Sequence, residues 1–175
     1  MRMKVLLPAL VLTLLTVFVA PTSFALAASV TWRQATKSEL QTYLPARAPV
    51  VKERIETEMP AASGIISSKD QFIGGVVLIT AGYSADGKYS HYFLSQVPIQ
   101  VGSLKLPAGQ YILGYVRRGD ELEIKFYEAM SGKFLGGVRA KLDRTTHGVY
   151  AFKIWPPSQH SLIQIGRFIL PYHLQ

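Results

Sequence analysis

The sequence predicts an all-β protein, an antiparallel β-sandwich or small barrel of about seven to nine strands. A short N-terminal helix after a signal peptide precedes it. Three observations carry this prediction. Runs rich in Val, Ile, Tyr and Phe recur at regular spacing from Phe72 to the C-terminus. Gly-, Asp- and Pro-containing turn signals separate them. No β-strand pattern alternates with a helical one, which speaks against a parallel α/β fold.

Residues 1–27 read as the signal peptide. Arg2 and Lys4 give a basic start, residues 5–20 are apolar apart from Pro8 and two threonines, and Ala25-Leu26-Ala27 forms a small-x-small cleavage site. The apolar run is 16 residues, short of the roughly 20 that span a bilayer. Cleavage and export to the periplasm or the medium are therefore expected, with no stable membrane span afterwards. Removal of the leader leaves 148 residues, enough for one domain with its own core.

Residues 28–48 form a lead-in segment. Thr36-Lys37-Ser38-Glu39 is a capping box, in which a hydroxyl and a carboxylate satisfy free N–H groups at a helix start. Leu40, Tyr43 and Leu44 share one face of that helix, and Pro45 ends it. Residues 49–175 form the single β-sandwich domain. Its first stretch, 50–59, fits both a helical stripe (Val51, Ile55, Met59) and a strand, and the strand is preferred because a long β pattern follows. The clear strands are 72–80, buried on both faces, then 89–97, 110–116, 121–127, 133–142, 147–155 and 161–170. In 121–127, Leu122, Ile124 and Phe126 alternate with Glu121, Glu123 and Lys125. Turns are expected at Ala85-Asp86-Gly87-Lys88, where Asp-Gly signals a hairpin, at Arg118-Gly119-Asp120, at Met130-Ser131-Gly132 and at Pro156-Pro157-Ser158.

Within this pattern, residues 97–111 read Val-Pro-Ile-Gln-Val-Gly-Ser-Leu-Lys-Leu-Pro-Ala-Gly-Gln-Tyr. The stretch resembles a V-P-x-x-V-G-x-x-x-L-P-A-G-x-Y motif of uncharacterised small secreted bacterial β-proteins. Ile99 stands where that pattern has an aromatic residue. The resemblance implies a β-sandwich or small barrel and carries over no functional residue. Physically, Pro98 suits a strand start, Leu106-Pro107-Ala108-Gly109 a turn, and Tyr111 the opening of the next strand.

Composition removes several chemistries. The chain has no cysteine and no asparagine. Thiolate catalysis, thiol zinc sites, disulfides, N-terminal lipidation on cysteine and N-linked glycosylation are excluded. The leader carries two of the 19 basic residues and none of the 11 acidic ones, which leaves +6 for the remainder. That charge is dispersed, with Arg117-Arg118 as its longest run. Dispersed basicity suits anionic surfaces and does not suit nucleic acid.

No catalytic constellation stands out. Gly82-Tyr83-Ser84-Ala85-Asp86 nearly matches the nucleophile elbow but lacks its last glycine and its strand-to-helix setting. Glu121 and Glu123 share a strand face with Lys125, the pattern of a solvated surface. Arg118-Gly119-Asp120 matches an integrin-binding tripeptide and reads as a polar hairpin tip. His91, His147, His160 and His173 show no metal-binding spacing, and no metal or cofactor is expected. Aromatic residues are the remaining clue. Tyr83, Tyr89, His91 and Tyr92 cluster around Asp86-Gly87 and are the expected ligand-binding residues, and Trp155 lies before the Pro-Pro turn. Such rings stack on sugars or line apolar pockets, or they fill the core.

The functional expectation is an exported, non-enzymatic binding or envelope-interaction module. Its partner would be a glycan or an anionic envelope component. Two alternatives remain open: a module that pairs an edge strand, the 163–169 segment or its neighbour, with another chain, and a small secreted hydrolase using Ser84 or Glu121 and Glu123.

Overall fold

A computed structural model of the chain describes residues 29–145 and 148–175. The expected signal peptide and His147 lie outside the described residues. Helix α1 spans Lys37–Tyr43. Fourteen strands accompany it. They are β1 (Trp32–Gln34), β2 (Arg47–Val50), β3 (Glu53–Glu56), β4 (Ser63–Ser67), β5 (Phe72–Val77), β6 (His91–Ser95) and β7 (Ile99–Val101). The remaining seven are β8 (Leu104–Leu106), β9 (Gly109–Arg118), β10 (Glu121–Glu128), β11 (Phe134–Leu142), β12 (Tyr150–Ile154), β13 (Leu162–Gly166) and β14 (Phe168–Leu174).

The all-β class holds, but the expected seven to nine strands are 14, and the sheet is not closed. Twelve strands form one antiparallel sheet. Its main path runs β1-β4-β5-β6-β9-β10-β11-β14-β13-β12, with the β7–β8 hairpin attached to β14. Strands β2 and β3 form a separate ribbon. The sheet rolls until β12 lies against β4 and β5. A Cβ on Gly75 would sit 2.8 Å from the Phe152 ring. At this seam side chains replace a ladder: Ile154 N–H donates to Ser63 Oγ at 3.2 Å, and His91 Nε2 bonds Ala151 O at 3.1 Å.

Alternation along the strands builds two cores. Ile73, Phe93, Tyr111, Leu113, Ile124, Phe126, Phe152 and Tyr172 point into the roll. Phe72, Val76, Tyr92 and Ile112 point outward, yet are covered by Leu44, Val50 and Ile55 from the helix and the ribbon. Strands β5 and β6 and residues 111–114 of β9 are therefore buried on both faces; the strand expected over 72–80 ends at Val77, and Ile79 is exposed. The helix is held by its capping box, in which Glu39 N–H donates to Thr36 Oγ1 and Thr36 N–H donates to Glu39 Oε2. Tyr43 stacks on Phe72 with ring centroids 4.7 Å apart.

Several local readings change. Residues 50–59 are not one strand but the end of β2, a turn, β3 and the start of a 3-10 turn at Met59–Ala61. The 161–170 run splits into β13 and β14 at Gly166-Arg167. Asp86-Gly87 does not make a tight hairpin. Residues 78–90 form a long loop of successive turns, because Ala85 and Tyr89 fold back into the outer core. The β9–β10 turn at Gly119-Asp120 is as expected, with Arg118 opposite Glu121 and Gly119 at φ 62°.

The 97–111 motif becomes a corner. Val97, Ile99, Val101 and Leu106 enter the inner core, Gly102 turns β7 into β8 at φ 57°, and Tyr111 Oη donates to Pro107 O. A Cβ on Gly109 would lie 2.9 Å from that hydroxyl.

Candidate functional site

Three of the four expected ligand-binding residues belong to the cores. Tyr89 is 5% exposed, Tyr92 2% and His91 3%. Tyr89 packs edge-on against Tyr127, with centroids 5.2 Å apart. Burial raises the Tyr92 phenol to about 12, offset in part by Arg54. His91 sits between Tyr115 and Phe152 with both ring nitrogens hydrogen-bonded, and burial lowers it to about 4. Only Tyr83 is half-buried, with its hydroxyl 3.5 Å from Arg47 Nη2. The residues do not form an exposed platform, because β6 is central and the 78–90 loop turns its aromatics inward.

The other candidates scatter too. Ser84 Oγ donates to Glu53, while Asp86 accepts from Thr80. With the His91 nitrogens taken by Ser90 and Ala151, no Ser-His-Asp arrangement assembles. Glu121 and Glu123 lie near Arg139 and Arg118, at 3.9 and 3.0 Å. Asp120 of the Arg-Gly-Asp tip pairs with Arg144 at 2.8 Å. Among the described residues no three His, Asp or Glu side chains gather to hold a metal. Residues 163–169 are not a sheet edge: β13 lies between β12 and β14, and β14 between β13 and β11, while their neighbour β12 ends the sheet path.

The structure instead brings aromatics together on the outer face of β12 and β13. A cavity of about 550 Å³ is lined by Tyr150, Trp155, His160, Leu162, Gln164 and Asp143, among others. Small-molecule sites commonly measure roughly 300–1,000 Å³. Trp155 is perpendicular to both neighbours, 6.1 Å from Tyr150 and 5.8 Å from His160 between centroids. Leu162 and Trp155 flank the Pro156-Pro157 turn, which returns the chain from β12 to β13.

Trp155 is held at three points. Its indole N–H donates to Gln164 Oε1 at 3.3 Å, its backbone N–H to Leu162 O at 2.8 Å, and its carbonyl accepts from Tyr172 Oη at 2.6 Å. Gln164 is 1% exposed although its neighbours Ile163 and Ile165 take the inner face. Its amide also donates to Gly148 O and Gly166 O, at 3.1 and 2.9 Å. A buried amide with these bonds made is a rigid support, and an unmade one would be costly.

No family model, curated protein or solved structure matches this chain. The geometry therefore carries the functional argument alone. Tyr150 also borders a second cavity of about 620 Å³, whose wall includes Tyr115, Lys88 and Asp86. Trp155 was visible in the sequence as an aromatic before a Pro-Pro turn. Gln164 was not, because one glutamine within an apolar strand reads as an ordinary polar position.

Proposed function

We propose that this chain is an exported, non-enzymatic binding module that holds a saccharide of the cell envelope in the Trp155 cavity. The observation that carries the reading is the fixed indole, with Tyr150 and His160 set perpendicular to it around a cavity of suitable size. Rigid aromatic faces stack on the C–H faces of sugar rings without losing side-chain freedom. Asp143 in the wall supplies a carboxylate suited to accept from hydroxyls, while Gln164 fixes the indole from behind. A quaternary ammonium is a poorer guest, because Lys153 Nζ already stands 5.2 Å from the Trp155 centroid and 6.0 Å from that of Tyr150. Export rests on the leader at 1–27. Among the described residues no helix is long and apolar enough to cross a membrane.

Binding of the exported protein to a panel of envelope oligosaccharides, read by calorimetry, tests this function. Trp155→Ala is expected to weaken binding at least about tenfold, the scale of one lost stacking contact. Tyr83→Ala, outside the cavity, is expected to bind as the parent does. Absence of binding across the panel, or full binding by Trp155→Ala, would overturn the proposal. N-terminal sequencing of the exported form is expected to begin at Ala28, and a start at Met1 would count against cleavage.

A further inference from the structure

We infer that the saccharide of the Trp155 cavity is acidic, with its carboxylate or phosphate group meeting the Lys153 ammonium. This inference rests on the saccharide reading of the cavity and adds the chemical class of the ligand.

Lys153 lies opposite Gln164 in the β12–β13 pairing and two residues before Trp155. It therefore shares their outer face, beside the cavity wall. Its Nζ covers the Tyr150 and Trp155 rings, and its side chain is half-buried. Arg33–Glu39, Arg118–Glu123, Arg139–Glu121 and Arg144–Asp120 are ion pairs, and among the described residues Lys153 enters none. A partly desolvated ammonium with ring faces and no carboxylate leaves its strongest interaction unmade. Burial accordingly lowers its pKa, and a bound anion would oppose that shift by favouring the charged form.

Asp143 is the opposing charge in the cavity wall. It accepts from Thr145 N and Oγ1 at 2.8 and 2.7 Å. Its carboxylate is an acceptor that matches sugar hydroxyls and offers nothing to an acid group. The expected pose thus has hydroxyls toward Asp143, a sugar ring against Trp155 and the acid group at Lys153. A hexuronate and a sugar phosphate both offer this chemistry.

The test is calorimetry of the exported protein with matched neutral, uronate-bearing and phosphate-bearing trisaccharides at low and high salt. One or both acidic ligands are expected to bind about tenfold more tightly than the neutral one, equivalent to 1.4 kcal/mol. The advantage should shrink with salt. Lys153→Gln is expected to abolish the acidic-to-neutral ratio, and Lys153→Arg to keep most of it. Equal binding of acidic and neutral ligands, or a ratio unchanged in Lys153→Gln, would overturn the inference while leaving the saccharide site intact. Lys153-dependent binding to sugar-free phosphatidylglycerol vesicles, with no acidic preference among sugars, would overturn it in favour of a lipid surface. No binding by any sugar would remove the saccharide reading itself.

Discussion

His91 shows what burial does to one side chain. It is 3% exposed, packed between Tyr115 and Phe152, and it spans from β6 to Ala151 of β12. In the neutral ring, Nε2–H donates to the Ala151 carbonyl, and Nδ1 accepts from Ser90 Oγ at 2.9 Å. The Ser90 hydroxyl also lies 3.1 Å from Leu113 O, a second acceptor for its proton. Burial lowers the ring from 6.5 to about 4. Between those values the unfolded chain binds the additional proton, so stability rises with pH across the window. The contribution is complete above 6.5 and is lost as pH falls toward 4, by about 3 kcal/mol. Urea midpoints measured from pH 7 to pH 4 should fall accordingly, and His91→Gln should flatten that slope. A flat parent profile over this range would refute the assignment. Glu39, held down to about 2 by Arg33 and by the helix N-terminus, acts only below its ordinary pKa of 4.5. Its loss on acidification therefore falls in a separate, lower window.

Among the elements, the corner at residues 97–111 turns a sequence motif into a mechanical part. The Tyr111 hydroxyl closes the Pro107-Ala108-Gly109 turn onto its own strand. Tyr111→Phe removes that bond and leaves the Pro107 carbonyl to find water, at a cost of about 1 kcal/mol. Thermal unfolding should show a drop of about 2–4 °C; an unchanged midpoint would mean the hydroxyl is dispensable. Such elements are legible when the local signal and the tertiary role coincide. Thr36 and Glu39 cap a real helix, and the alternation at 121–127 is the inward and outward face of β10. Legibility fails where tertiary contacts decide. Val51 turns β2 into β3 at φ 57°, a conformation that costs a β-branched residue about 1–2 kcal/mol. Its N–H bond to Ala129 O at 2.8 Å helps hold it there. Strand β4, Ser-Gly-Ile-Ile-Ser, shows no alternation because all five residues are buried. Gly166 turns β13 into β14 at φ 62° inside a run, 161–170, whose other residues keep a strand pattern, so the two read as one strand.

Across the whole molecule, the roll ends in an asymmetric seam. Strand β12 has a ladder only with β13, of three paired positions and an irregularity, and meets β4 and β6 through Ser63 and His91. Strands β9 and β10, by contrast, pair over eight positions and are both flanked. Alternation and turn residues forecast an all-β fold from local sequence. They could not forecast this seam, since it depends on contacts between residues more than 50 positions apart, 60 for His91 and Ala151. The burial of Tyr89, His91 and Tyr92 was not legible for the same reason: ring exposure is set by which face the roll covers. The candidate site lies on the β12–β13 hairpin, at an end of the sheet where β12 is laddered on one side only. Amide exchange should therefore show residues 150–154 opening at lower free energy than β9 and β10. Ser63→Ala removes the acceptor of the Ile154 N–H, whose side chain is fully buried. Exchange in β12 should then quicken about tenfold or more, as expected for an orphaned buried donor, while β9 and β10 change much less. A saccharide bound against Trp155 should slow it again. Equal protection of β12 and β9, with equal response to Ser63→Ala, would show that the seam opens only with the whole fold.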